Sequence, residues 1–231
     1  MRDGGLICLS LAGATAADII RQAGPLAHLA DLAEIRLDSM ERPDIAPLVE
    51  RLNLPVLATN RPTWEGGAFS GGETERLELL EAALDAGAQY VDIELRTEPA
   101  LRDGFLEKAR ERGVWPIVSW HDFHETPDAA ALADMYCDMR ALAAHGARSG
   151  KIVTFARTPA EALRTLALLE RADADFPLSA FAMGRAGGIT RLATLFLGGH
   201  ISYTSADDGK GTAPGQMGIR RLRELRDALL A

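Results

Sequence analysis

Eight short apolar runs recur along the chain: Leu6–Leu11, Leu32–Asp38, Pro55–Arg61, Tyr90–Leu95, Pro116–Phe123, Lys151–Ala156, Leu178–Gly184 and His200–Ser205. Strands buried on both faces read this way, because a sheet covered by helices on one side and filled by side chains on the other leaves few positions for water. Between the runs lie stretches of helical composition, such as Glu73–Ala86 with leucines and alanines at three- and four-residue steps. Helix starts are expected at Thr15 and at the Thr126-Pro127 and Thr158-Pro159 pairs, and stops at Gly87 and Gly113. Eight strand-helix units in 231 residues leave roughly 29 residues each, near the lower end for a closed (β/α)8 barrel. The expected fold is therefore an α/β TIM barrel, with residues 1–231 forming one catalytic domain; a doubly wound sheet is the alternative.

Composition narrows the function classes. The chain is 47% hydrophobic and 25% charged, which suits a globular domain with a sizeable core. Its 25 Lys plus Arg against 33 Asp plus Glu give a net charge of −8, with no long basic run. Neither nucleic acid nor an anionic membrane is an expected partner. No apolar stretch approaches the ~18 residues of a membrane span. Met1–Ala17 has a faint signal-peptide look, but Asp3 and the shortness of its apolar run favour a buried first strand. Cys8 and Cys137 have no metal-ligand or disulfide-framework spacing, which points to a reducing, cytoplasmic setting.

In a parallel barrel the chemistry is expected at the C-terminal ends of the strands. Polar residues collect there. Glu34 and Arg36 stand two apart and so share a strand face, as do Asp92 and Glu94. Arg61 ends the third run and leads into Glu65-Gly66-Gly67. The fifth ends in His121-Asp122-Phe123, the seventh is followed by Gly184–Gly188 and Arg191, and the eighth by Thr212-Ala213-Pro214-Gly215-Gln216. A single strand-end carboxylate is more often a cap or an ion-pair partner, but many on one rim define a polar site, since unpaired buried charge is costly.

Lysine is scarce, with only Lys108, Lys151 and Lys210. Lys108 reads as a solvated helix face and Lys210 as a loop residue. Lys151 directly precedes Ile152-Val153-Thr154 and is expected to project from a barrel strand; a strand start is also a normal place for a structural lysine, but inside a barrel a desolvated amine is equipped to attack a carbonyl. Among five histidines, His121 is the one at a strand end, and is the natural general acid/base. His121-x-x-His124 is poorly spaced for metal, and no third ligand is evident.

These residues resemble the type I 3-dehydroquinate dehydratase (3-dehydroquinase) family. The likeness is carried by Glu34–Asp38, Arg61 with Glu65-Gly66-Gly67, Asp92-Ile93-Glu94, Ser119–Phe123, Lys151-Ile152, Ala182-Met183-Gly184, Arg191-Leu192 and Ala213–Gln216, in order from about Ser10 to Gln216. The resemblance implies a (β/α)8 barrel that dehydrates 3-dehydroquinate to 3-dehydroshikimate, the third step of the shikimate pathway, through an imine and without metal or cofactor. It implies Lys151 as the Schiff-base lysine, His121 as general acid/base and Glu65 as the acidic partner of that histidine. Substrate contacts would fall on Ser10, Glu34, Arg36, Arg61, Arg191, Thr212 and Gln216. The expected partner is thus a small-molecule substrate, with room for a homodimer. Thr212 stands where serine is the family pattern, keeping a hydroxyl and adding a methyl. Few residues precede Leu6, so an N-terminal hairpin plugging the barrel bottom is expected to be short or missing. A class I aldolase is the alternative enzyme, with Gly184–Gly188 as a phosphate-holding turn; a non-catalytic barrel binding a small anion would not need both Lys151 and His121.

Overall fold

The computed structural model describes residues 4–206 and 215–230. Thr212 and Lys210, named above, lie outside the described residues. Eight strands, β1 (Leu6–Leu11), β2 (Leu32–Arg36), β3 (Val56–Thr59), β4 (Tyr90–Glu94), β5 (Trp115–His121), β6 (Ser149–Phe155), β7 (Leu178–Met183) and β8 (Ile201–Thr204), alternate with helices. These are α1 (Ala16–Ala23), α2 (Ala46–Arg51), α3 (Glu73–Asp85), α4 (Pro99–Glu111), α5 (Ala129–Ala141), α6 (Pro159–Ala167), α7 (Thr190–Ala193) and α8 (Ile219–Leu230). All ladders are parallel in the order β7-β6-β5-β4-β3-β2-β1-β8. At the remaining seam the His200 amide donates to the Leu178 carbonyl at 2.9 Å and the Ile201 amide to Ser179 Oγ at 3.0 Å. Pairing of β1 with β8 and this seam make a nearly closed barrel, which sets aside the doubly wound alternative.

Every run became a strand, but the ends moved. β2 stops at Arg36, because Asp38 turns back within a short 3₁₀ turn to pair with Arg36. β6 starts two residues early, so Lys151 sits inside the strand instead of leading it. Thr15 and Thr158 cap α1 and α6 through reciprocal capping boxes with Asp18 and Glu161. Thr126 does not cap α5: Asp128 does, while the Thr126 hydroxyl donates to the Phe155 carbonyl at 2.9 Å. A threonine buried against β6 finds a better partner there than a helix start two residues on.

Strand alternation makes two cores. Outward residues such as Leu9, Ile35, Val91 and Ile152 pack on helix residues such as Ile19, Leu48, Leu80 and Leu106. Inward residues Cys8, Leu32, Leu57, Ile117 and Ile201 fill the lower barrel. Tyr90, Trp115 and His200 meet at the N-terminal end, with ring centroids 6.2 and 5.9 Å apart. No described helix is long and apolar enough to cross a membrane.

His200 supplies a stability prediction. Its Nδ1 is buried with no hydrogen-bond partner among the described residues, and burial pushes the imidazole down to about 4. The fold accepts only the neutral ring, so the stability tied to His200 is full above pH 6.5 and declines toward pH 4 as the unfolded chain takes up the proton. The loss amounts to about 3 kcal/mol at most. Urea unfolding at pH 7 and pH 4.5 should show a smaller drop for His200→Gln than for the native chain; an equal drop removes His200 as the cause.

Candidate active site

The polar layer forms because even-numbered strands each send one side chain to the same level. Glu34 comes from β2, Asp92 from β4, Lys151 from β6 and Tyr203 from β8. Lys151 Nζ lies 3.4 Å from Asp92 Oδ2, 3.8 Å from Glu34 Oε1 and 3.9 Å from the Tyr203 ring centroid. Both carboxylates are themselves held. Glu34 accepts hydrogen bonds from Ser10 and, at 3.0 Å, from Thr59; Asp92 accepts from Ser119 at 2.6 Å and Arg61 at 2.7 Å. Burial works to raise Asp92, but Arg61 and Lys151 outweigh it and hold its carboxyl below the usual range.

Arg61 is the hub of the acidic wall. Its guanidinium donates to Glu94 at 2.6 Å, to Ser119 at 2.7 Å and to Asp92, and lies 3.5 Å from Glu65. Glu94 is shared with Arg76 on α3, 2.6 Å away and fully buried, which also grips Glu73, Thr97 and the Asn60 carbonyl. Burial of these charges is tolerable because each carboxylate meets a guanidinium.

On the next side, Glu65 Oε2 lies 2.9 Å from His121 Nδ1, and Glu65 Oε1 lies 3.0 Å from Arg96 Nε. Glu65 ends a short turn, Thr63–Glu65, whose shape depends on the two glycines behind it. Gly66 has φ 75° and lies under the Phe123 ring; a Cβ at Gly67 would meet the Arg61 carbonyl at 1.9 Å. Only glycines let this loop fold back far enough to aim Glu65 into the barrel. Burial pushes Glu65 up to about 8 against the pull of Arg61 and Arg96. Burial, joined by the charges of Arg61, Lys151, Arg36 and Arg191, holds His121 well below its usual range.

A cavity open to solvent lies over this layer at the C-terminal mouth. Lys151, His121, Glu65, Glu34, Arg36, Arg61, Arg191 and Gln216 all line it, so eight sequence-derived positions from the whole length of the chain converge. Ser10 does not line it; its hydroxyl lies behind Glu34. Arg36 is bound bidentately by Asp38, whose oxygens also receive the Arg61 and Ala68 amides. Arg191 stacks on Phe181 at 4.8 Å, and burial pushes it down to about 10 although Glu34 opposes. The Gly184–Gly188 turn is tied down by α7: Thr190 Oγ1 accepts from the Ala182 amide of β7 at 2.8 Å and donates to the Gly187 carbonyl at 2.6 Å. Among the described residues no three His, Cys, Asp or Glu side chains form a metal-holding group.

Sequence reasoning missed Arg76, Arg96 and Tyr203. Arg96 follows Glu94 by two, the same spacing that marked Glu34 with Arg36, and was findable. Arg76 sits among Glu73 and Glu75 in a charged helix and looks solvated; Tyr203 looks like ordinary core.

A parallel eight-stranded barrel that buries a lysine among carboxylates, with a hydrogen-bonded Glu-His pair at the same mouth, defines a barrel enzyme equipped for acid-base work. The description type I 3-dehydroquinase fits residues 7–230, and the chain belongs to that family. It is 40% identical over 218 residues to a 3-dehydroquinate dehydratase of Desulfotalea psychrophila, covering 94% of this chain and 95% of that one. A 3-dehydroquinate dehydratase of Methanothermobacter thermautotrophicus is 36% identical, covering 97% of each chain. The crystal structure of a type I 3-dehydroquinate dehydratase from Clostridium difficile superposes with a TM-score of 0.86 at 25% identity, covering 99% of this chain and 93% of that one.

Proposed function

We propose that this enzyme, acting as one catalytic domain, dehydrates 3-dehydroquinate to 3-dehydroshikimate through an imine on Lys151, the third step of the shikimate pathway, in the cytoplasm. The observation that carries the reading is Lys151 Nζ inside the mouth cavity, one strand away from the Glu65-His121 pair. A carbanion next to a ketone is poorly stabilised in water, whereas a protonated imine is an effective electron sink. The Lys151 amine adds to the ketone carbon, and the ketone oxygen leaves as water. His121 then takes a proton from the neighbouring carbon, the electron pair moves into the imine, and the same imidazolium protonates the departing hydroxide. Water hydrolyses the product imine and returns the free lysine.

Glu65, bonded to Nδ1, leaves Nε2 for the proton transfer. Arg191 would clamp the substrate carboxylate: the negative charge relieves a guanidinium that burial disfavours. Glu34, Arg36 and Gln216 surround the ring hydroxyls, with Thr212 as a further hydroxyl donor. Ser10 acts through Glu34, and Arg61 braces the acidic wall at the cavity edge. No metal or cofactor has a place in this scheme, and a homodimer remains compatible with it.

The test is direct. Purified protein with 3-dehydroquinate should develop the ultraviolet absorbance of a conjugated enone, at the same rate with and without EDTA. Absence of that absorbance, or carbon-carbon cleavage of a phosphorylated sugar under the same conditions, would replace the dehydratase reading with the aldolase one.

A further inference from the structure

Three elements meet at Glu65. The residue ends the turn after β3, His121 closes β5, and Arg96 stands two residues beyond β4. The Arg96 guanidinium lies over two indole rings, 5.5 Å from the Trp64 centroid and 5.9 Å from that of Trp120. From there Nε reaches Glu65 Oε1 at 3.0 Å, and the terminal nitrogen donates to the His121 carbonyl at 3.2 Å. One side chain therefore ties both members of the pair, from a position that is itself 47% exposed.

We propose that Arg96 is a positioning residue of this site: it holds the Glu65 carboxylate against His121 Nδ1 and thereby keeps the Nε2 lone pair turned to the cavity. Given the roles proposed above for Glu65 and His121, on which this rests, the chemistry is one of proton placement. An ionised Glu65 accepts from Nδ1–H, and Nε2 is then a base. A neutral Glu65 donates to Nδ1, the ring proton moves to Nε2, and the same imidazole can no longer take a proton from substrate.

Which state prevails depends on the charges facing Glu65. Burial and Glu94 on β4 favour the neutral acid, while Arg61 from the end of β3 and Arg96 favour the carboxylate. Arg61 is already committed to Asp92, Glu94 and Ser119, and approaches Glu65 only to 3.5 Å. Arg96 makes the closer contact. The cations facing His121, namely Arg61, Lys151 from β6, Arg36 from β2 and Arg191 from α7, all oppose an imidazolium, so a second proton on the pair resides on Glu65. With Glu65 near 8, kcat/KM is expected to rise with pH through that region instead of near 6.5.

Arg96→Gln removes the charge and keeps a hydrogen-bonding group, and Arg96→Lys keeps the charge and loses the fork. Neither touches the buried Arg61-Asp92-Glu94-Arg76 network, so both variants should fold with native thermal midpoints. Loss of one charge-assisted contact should move the acidic limb of kcat/KM upward by roughly one pH unit in Arg96→Gln, with about tenfold lower activity at pH 7 and recovery above pH 9. Arg96→Lys should recover part of the shift. A second readout does not need turnover: in protein labelled with ¹⁵N-histidine, long-range spectra of five histidines, with His121 assigned by His121→Gln, report which ring nitrogen carries the proton. The native ring should become Nδ1–H as the pH rises through about 8, and Arg96→Gln should convert about one pH unit higher. A uniformly lower rate with an unmoved limb and unmoved tautomer overturns the proposal. If the native protein fails to dehydrate 3-dehydroquinate while the tautomer midpoint still moves, the substrate assignment fails and the positioning role stands.

Discussion

Lys151→Ala is expected to abolish both turnover and any borohydride-dependent mass gain on the peptide containing residue 151. Sodium borohydride reduces an imine to a secondary amine, which fixes the substrate skeleton to the lysine. Among the described residues Lys151 is the lysine that lines the cavity, so native enzyme treated with substrate and borohydride should carry one adduct there. His121→Ala should behave differently. Its turnover should fall by the ~10²- to 10⁴-fold typical of a lost general acid/base. Attachment need not stop, since solvent can handle the protons of amine addition, and a covalent imine should accumulate. Mass spectrometry of His121→Ala with substrate, before and after borohydride, decides: a stalled adduct supports the order of events. A variant with no adduct would assign His121 to imine formation, and near-native turnover would remove it from the chemistry.

Arg61→Met should unfold far more easily than any rim substitution. Methionine fills much of the arginine's apolar volume, so the loss is chiefly one of charge. Asp92 and Glu94, both fully buried, would lose their shared cation. Glu94 keeps Arg76 and Asp92 keeps Lys151, yet the cost of stranding part of a buried ion network is about 3 to 5 kcal/mol. The pH dependence contributed by Asp92 should change sign, whereas burial already holds Glu94 above its usual range in the native protein. In the native protein Asp92 is held low, so its contribution is full at neutral pH and is lost as pH falls through its folded value. Without Arg61 burial dominates, the carboxyls rise, and acidification should restore stability to the variant. Urea midpoints of variant and native chain at pH 7 and pH 5 check this, since native Asp92 stays ionised over that range; a variant that gains nothing relative to the native chain on acidification would show that Arg61 is not the essential counter-charge.

The barrel was legible because its cause is local. A strand covered on both faces must be apolar over most of its four to seven residues, and stretches of helical composition lay between the runs. The polar pairs Glu34 with Arg36 and Asp92 with Glu94 were legible for a related reason: alternation places i and i+2 on one face, and an apolar run does not carry charges inward without a site to receive them. The place of His121 at the mouth followed from the rule that strand ends share one rim; Lys151, at the head of its run, reaches the same cavity because β6 begins two residues earlier.

Pairing was not legible. Glu34 and Arg36 look like partners in the chain, yet Arg36 binds Asp38 and Glu34 faces Lys151. Arg61 was expected among the substrate contacts, and it lines the cavity with most of its hydrogen bonds committed to Asp92, Glu94 and Ser119. Arg76 resembled one more solvated helix charge and is fully buried. What the amino-acid order determined alone was the rhythm of strands and helices and the list of groups that reach one rim, because both depend on contacts a few residues apart. Which carboxylate meets which cation, which nitrogen of His121 is left for chemistry, and that Tyr203 lies beneath Lys151 were decided only by closure of the barrel, since barrel curvature and register bring together side chains tens of residues apart and buried charge settles on whichever counter-charge that geometry brings nearest.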